Sequence, residues 1–246
     1  NLLLPAFRYG TSEFLKAIGA SKVVIGVSGG IDSAVNAALY RSILPAENIL
    51  LVNTPTRYNS ELTKGLAAEL AKNLGCQLLT VPIGDFIDET ADALEGLPLP
   101  DDTVHLTGFM KENMQARDRS SRILAALSAA FGGIFTCNAN KTETTVGYGT
   151  LYGDLAGAFA ATADLWKYQI YDLGRKLNAW YGRAVIPEGI FTVMPSAELS
   201  ENQDVTQGKG DPLIYEYHDY LFRSFIEPWQ RQTPEDILKA YAKGNL

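Results

Sequence analysis

The sequence predicts an α/β fold: a doubly wound, Rossmann-like parallel sheet with helices on both faces, in a single domain spanning residues 1–246. Two observations predict it. Short β-branched runs alternate with helical segments through the first half, and that alternation builds a parallel sheet covered on both sides. The first such run ends in a glycine-rich turn that opens a helix. In order, Thr11 and Ser12 are candidate caps for a short helix ending near Gly19. Residues 22–27 (KVVIGV) read as a buried strand and 31–43 as a helix with one apolar face. Residues 48–53 form a second strand. Ser60 caps a helix running to about Leu74, and 76–81 form a third strand stopped by Pro82. Residues 117–131 read as one long helix and 134–138 as another strand. Farther on, 164–180, 213–226 and a stretch after Pro234 read as helices. Residues 195–212 are polar, rich in Gly and Gln and without apolar period, so they are expected to form a functional, mobile loop.

Bulk properties exclude several classes. Hydrophobic residues make up 46% of the 246, enough for a sizeable core. The net charge of -7 disfavours a nucleic-acid partner, which wants a basic surface. Only two cysteines occur, Cys76 and Cys137, too few for a disulfide framework. They predict a reducing, cytoplasmic compartment and read as small buried hydrophobes. No apolar run approaches the roughly 20 residues that span a membrane. The chain begins at Asn1 with no signal-peptide pattern, and it is expected to be a piece of a longer protein.

The strongest chemical signal is Gly26-Val27-Ser28-Gly29-Gly30-Ile31-Asp32-Ser33. Glycines after a strand let the backbone approach an anion with no Cβ in the way. The following helix turns its free N–H groups and positive dipole end toward that anion. Ser28 and Ser33 add hydroxyl donors. Asp32 would repel phosphates unless it holds a Mg²⁺ that they share. The Lys-Ser/Thr ending of a Walker A loop is absent. The plain alternative is a Gly-rich turn that binds nothing. A second segment, residues 138–154 (NANKTETTVGYGTLYGD), follows a strand and carries one acid, Glu143. Ligands in open α/β sheets sit at such strand ends, so Glu143 is a candidate second Mg²⁺ ligand. Otherwise it is a helix-start acid serving the dipole.

The Gly26 to Ser33 loop resembles the pyrophosphate loop of the N-type ATP pyrophosphatases, a superfamily with the adenine nucleotide alpha hydrolase-like fold. Asn140-Lys141-Thr142-Glu143, followed by Gly147-Tyr148-Gly149-Thr150-Leu151-Tyr152-Gly153-Asp154, looks like the signature of its NAD synthetase family. Asp164-Leu165-Trp166-Lys167, Asn113-Met114-Gln115-Ala116-Arg117, Thr56-Arg57-Tyr58 and Pro195-Ser196-Ala197-Glu198-Leu199 match further segments of that family in order. The resemblance implies a ligase that amidates deamido-NAD to NAD with ATP, through an acyl-adenylate, releasing AMP and pyrophosphate. It implies that the loop holds the ATP phosphates, with Arg57, Asn138, Lys167 and Ser196 also on the ATP side. Asp32 and Glu143 would bind Mg²⁺, and Lys167 would neutralise phosphate charge as pyrophosphate leaves. Asn113, Arg117, Glu143 and Asp154 would face deamido-NAD.

By the same resemblance the protein is a homodimer. The sequence looks closer to long, glutamine-dependent members, in which a separate glutaminase domain supplies the ammonia. Asn138 stands where the family often has Thr, Leu151 where short members have Lys, and Ala158 where they have Asp. The family's C-terminal His-Lys pair has no counterpart here. Arg119 and Arg122, beside Arg117, read as a solvated helix face, and Tyr215, Tyr217 and Tyr220 as packing. The competing readings are another member of the superfamily, such as GMP synthetase, and a nucleotide-binding module without catalysis. The joint presence of Asp32, Glu143 and Lys167 speaks against the module.

Overall fold

Four parallel strands in the order β3-β2-β1-β4 form the sheet. The computed structural model describes residues 2–245 apart from 201, 202, 204, 228 and 230. The strands are β1 (Val23–Gly26), β2 (Ile49–Asn53), β3 (Gln77–Thr80) and β4 (Ile134–Phe135). β1 lies in register with β2 from Val23 opposite Ile49 to Gly26 opposite Val52, and pairs with β4 on its other side. Because β1 is central, its alternate side chains enter two cores. Val23 and Ile25 join one with Ile49 and Leu51, and Val24 joins the other with Leu50, Val52 and Leu124. The strand order reverses between β1 and β4, which is where open α/β sheets form ligand crevices.

The first core is covered by α1 (Leu3–Ala17), α2 (Ile31–Arg41), α3 (Glu61–Leu74), α8 (Lys167–Tyr181) and α9 (Glu188–Thr192). α1 begins eight residues before the expected cap. Leu4, Thr11 and Leu15 share its buried face, so Thr11 is packed inside the helix rather than capping it. α3 follows the sequence closely. The Ser60 hydroxyl accepts from the Thr63 N–H, and Gly75 closes the helix in the left-handed region at φ 69°.

The opposite face carries the largest departure from expectation. Instead of one helix over 117–131, α5 (Gly108–Arg117) runs into a π-helical segment, Asp118–Leu124, and then α6 (Ala125–Phe131). α4 (Gly84–Leu94) and the first turns of α5 were not anticipated. α5 buries only Gln115 and Ala116 and carries little apolar periodicity, whereas α4 does place Phe86, Ile87, Ala91 and Leu94 on one face, a stripe the sequence reading passed over. β4 is two residues long, shorter than the predicted strand, because Cys137 turns away to pair with the Phe159 carbonyl.

The second half adds α7 (Lys141–Val146), α10 (Tyr215–Ile226) and α11 (Pro234–Ala242). Within 195–212 the described residues include the 3-10 turn Val205–Gln207 and Gln203, also 3-10, with no α-helix or strand. Residues 201, 202 and 204 of that stretch lie outside the described ones. No helix among the described residues is long and apolar enough to cross a membrane.

Candidate functional site

The loop after β1 is shaped by glycine geometry. Gly29 adopts φ +91°, and a Cβ there would stand 2.1 Å from the Thr63 carbonyl oxygen. No other residue fits. Gly30 is the N-cap of α2 in extended conformation. The Ser28 hydroxyl accepts from the Gly30 N–H at 3.2 Å, and the Ser33 hydroxyl donates to the Gly30 carbonyl at 3.1 Å. These bonds brace a loop whose remaining N–H groups, at the start of α2, have no helical carbonyl beneath them.

Asp32, in the first turn of α2, meets two partners from elsewhere in the chain. Asn140 Nδ2 donates to its Oδ1 at 2.8 Å, and Lys167 Nζ reaches its Oδ2 at 2.5 Å. Asn140 is fully buried and also caps α7, its Oδ1 accepting from the Glu143 N–H at 3.0 Å. One amide thus holds the Asp32 carboxylate and the backbone of Glu143. Lys167 Nζ completes the group with Glu143 Oε1 at 3.2 Å.

Lys167 is only 2% exposed, and its backbone explains how it is held there. It is the first residue of α8, where its N–H donates to Thr142 Oγ at 2.9 Å and the Tyr168 N–H donates to Asp219 Oδ2 at 3.0 Å. α7 and α10 therefore cap α8 and aim its first side chain back under the loop. Burial alone would lower the lysine's pKa, but Asp32 and Glu143 outweigh it and raise the pKa above its ordinary value. Burial pushes the Glu143 carboxyl up to about 7, with repulsion from Asp32 adding to it and attraction by Lys167 opposing it.

These groups share a cavity of about 200 Å³. Of the sequence-predicted residues, Gly26, Val27, Ser28, Gly30, Ile31, Asp32, Ser33, Asn138, Glu143, Asp154, Lys167 and Ser196 line it. Asn138 donates from Nδ2 to the Gly26 carbonyl at 2.8 Å, tying β4's end to β1's. Asp154 accepts from the Thr150 N–H at 2.7 Å. Ser196 donates to the Gln203 carbonyl at 2.6 Å. Four predicted residues are not in the lining. Gly29 turns toward Thr63. Arg57 is exposed and paired with Asp88 of α4. Asn113 Oδ1 accepts from Thr150 Oγ at 2.8 Å, and Arg117 Nε donates to the Leu151 carbonyl at 3.2 Å, so both tether the segment leading to Asp154.

Sequence reasoning missed other participants. Asp211 accepts from the Tyr148 hydroxyl at 3.0 Å and the Tyr215 hydroxyl at 2.6 Å. The Tyr215 ring lies 4.6 Å from Lys167 Nζ, which corrects its reading as packing alone. Glu198 is buried at φ +46° and accepts from Asn59 Nδ2, the Ser60 N–H and Thr63 Oγ, fastening the 195–199 wall to the start of α3. Arg119 lines the cavity rather than a solvated face. Glu198 lies inside a matched segment and Arg119 two residues beyond another, while Asp211 had no signal beyond the glycines before it.

A cradle of backbone N–H groups, two carboxylates and a buried ammonium suit a substrate that carries phosphates and reacts by transfer at phosphorus. A family model described as NAD synthase matches residues 8–243. The glutamine-dependent NAD(+) synthetase of Thermotoga maritima is 39% identical over 93% of this chain and 38% of its own length. The chain thus spans about two fifths of the curated relatives it matches. Among solved structures, glutamine-dependent NAD+ synthetase from Acinetobacter baumannii in complex with ADP superposes with a TM-score of 0.68 at 28% identity. That match covers 92% of this chain and 45% of that one. NH3-dependent NAD synthetase from Campylobacter jejuni, bound to nitrate, gives a TM-score of 0.69 at 26% identity, covering 98% and 93%.

Proposed function

The chain belongs to the NAD synthase family, and from that premise we propose that it amidates deamido-NAD to NAD, consuming ATP and ammonia and releasing AMP and pyrophosphate. The observation that carries this reading is Lys167, buried between Asp32 and Glu143 at 2.5 and 3.2 Å beside the Gly26 to Ser33 loop. A carboxylate does not exchange its oxygen for ammonia directly, so it must first be activated. A nicotinate carboxylate oxygen attacks the α-phosphorus, and the bond to the bridging oxygen of the β-phosphoryl breaks as pyrophosphate leaves. Ammonia then adds to the acyl carbon, AMP departs with the former carboxylate oxygen, and a proton is released.

In this reading the loop N–H groups, Ser28 and Ser33 hold the phosphates. Lys167 offsets the charge gathering on pyrophosphate, a task of positioning and neutralisation rather than covalent catalysis. Asp32 and Glu143 would hold Mg²⁺. Their hard oxygens lie close together, both within reach of Lys167 Nζ at 2.5 and 3.2 Å, and oxygen donors of this kind suit that ion. When bound, Mg²⁺ supplies further neutralisation of phosphate charge. Asn138 and Ser196 line the ATP side, Asp154 faces the dinucleotide, and Arg57, Asn113 and Arg117 serve from the rim. The 195–212 segment closes over the cavity and keeps water from the adenylate.

The chain is then one synthetase domain of a cytoplasmic homodimer, with a glutaminase domain in the full-length protein supplying ammonia. The two free, buried cysteines fit the reducing compartment. The test is incubation of this chain with ATP, Mg²⁺, deamido-NAD and ammonium chloride. NAD formed one-for-one with AMP supports the reading, and AMP without NAD moves the substrate to another acid. Sedimentation at micromolar concentration tests the dimer, which a monomer would overturn.

A further inference from the structure

The cavity has a second cation, and unlike Lys167 it is unspent. Arg119 lines the wall with Ala116, Leu124, Asp154 and Leu199. Its Nε is shut off from solvent without a hydrogen-bond partner, and among the described residues its guanidinium makes no hydrogen bond or ion pair. Arginine does not shed its charge, and this half-buried side chain, with its Nε cut off from solvent, carries that charge without a partner. Burial lowers its pKa against the attraction of Asp154, Glu198 and Asp118, yet none of the three bonds to it. Asp154 accepts from the Thr150 N–H. Both Glu198 oxygens are taken by Asn59, Ser60 and Thr63. Asp118 pairs with Arg122.

The side chain is delivered by the π-helical segment Asp118–Leu124, in which the widened turns break the 3.6-residue period. Such segments recur at functional sites. Leu124 packs against Gly26, with Cδ1 3.2 Å from where a Cβ of that residue would stand, so the segment is anchored at the root of the phosphate loop. The charge balance names the ligand. Lys167 is matched by Asp32 and Glu143, which leaves Arg119 as the cavity cation whose charge no ion pair offsets among the described residues. A polyphosphate brings several charges to be met. A substrate carboxylate brings one, and pairing it with a guanidinium would blunt its attack on phosphorus.

Resting on the reading that this cavity takes ATP, we propose that Arg119 is a phosphate ligand of the nucleotide, its planar fork donating to phosphoryl oxygens. The test compares binding of Mg·ATP, adenosine and deamido-NAD by titration calorimetry for the wild-type chain, Arg119→Met and Arg119→Lys, with melting temperatures alongside. Arg119→Met is expected to weaken Mg·ATP by at least about tenfold while adenosine and deamido-NAD stay within about twofold, and Arg119→Lys to recover part of the loss. Unchanged ATP affinity in Arg119→Met overturns the proposal. So does a parallel loss of ATP and adenosine with a lowered melting temperature, which would make Arg119 a prop of the fold, or a loss confined to deamido-NAD. A wild-type chain that binds no ATP removes the reading beneath the proposal, an outcome distinct from any difference between variants.

Discussion

Glu143 sets the site's demands against the stability of the fold, and Glu143→Gln exposes the conflict. Its carboxyl is raised from 4.5 to about 7 by burial and by Asp32, with Lys167 opposing. Its side chain is 18% exposed, so solvent screens it only slightly. At about 1.4 kcal/mol per tenfold change, ionised Glu143 disfavours the fold by about 3 kcal/mol relative to the unfolded chain. The sign follows from the raised value. Below 4.5 the carboxyl is protonated in both states and costs nothing. As pH rises toward 7 the unfolded chain releases its proton first, and above 7 the whole penalty is present.

Glutamine removes the charge and keeps an oxygen for Lys167, at the loss of one charge-assisted bond worth about 1.5–3 kcal/mol. The attraction of Lys167 for the ionised carboxylate is already contained in the raised pKa, and any loss that does not change with pH cancels between the two conditions, so Glu143→Gln is expected to gain about 3 kcal/mol over the wild type at pH 8, relative to the difference between them at pH 4.5. Urea unfolding at both pH values, in buffer with chelator and no nucleotide, measures it. A difference between variant and wild type that is flat with pH, or that moves against the variant toward pH 8, refutes the argument. Synthesis of NAD by the variant should fall to background.

Three further outcomes are expected. Asp32→Asn keeps the bond from Asn140 but loses a metal-binding charge and the buried pair with Lys167, so turnover should vanish while the chain still folds, with a lowered melting temperature; wild-type turnover would sink the Mg²⁺ assignment. Gly29→Ala forces a Cβ to 2.1 Å from the Thr63 carbonyl at φ +91°, and should lower unfolding free energy by about 2–4 kcal/mol, read from the urea midpoint. Glu198→Ala strands three donors at the start of α3 and should cost about 2–3 kcal/mol in the same assay. It should also raise the KM for ATP, since the 195–199 wall loses its anchor.

What could be read from the sequence was local chemistry. The strand–glycine–helix unit, the Ser60 cap and the three charged residues announce themselves because each needs a particular residue type in a particular neighbourhood. What could not be read depends on partners far along the chain. Thr11 resembles a cap until α1 is seen packing it beside Leu4 and Leu15. Arg119 resembles its exposed neighbours until the π-helical segment turns it inward. Asn140 is one polar residue among several in 138–145, and only the fold shows that its amide spans Asp32 and Glu143.

The placement of Asp211 shows why such residues escape a reading by motif. Gly210 approaches Pro195 so closely that a Cβ would lie 2.6 Å from its carbonyl oxygen, and the Asp211 N–H donates to that same oxygen at 2.9 Å. The two ends of the polar segment thus meet. The Asp211 carboxylate, which also accepts from the Ala197 N–H at 3.2 Å, is held against Tyr148 and Tyr215. Each of those tyrosines leads back to the charged centre, Tyr148 through the chain after α7 and Tyr215 through its contacts with Glu143 and Lys167. A stretch whose described residues include no α-helix or strand is therefore fixed to the site by polar bonds at its ends.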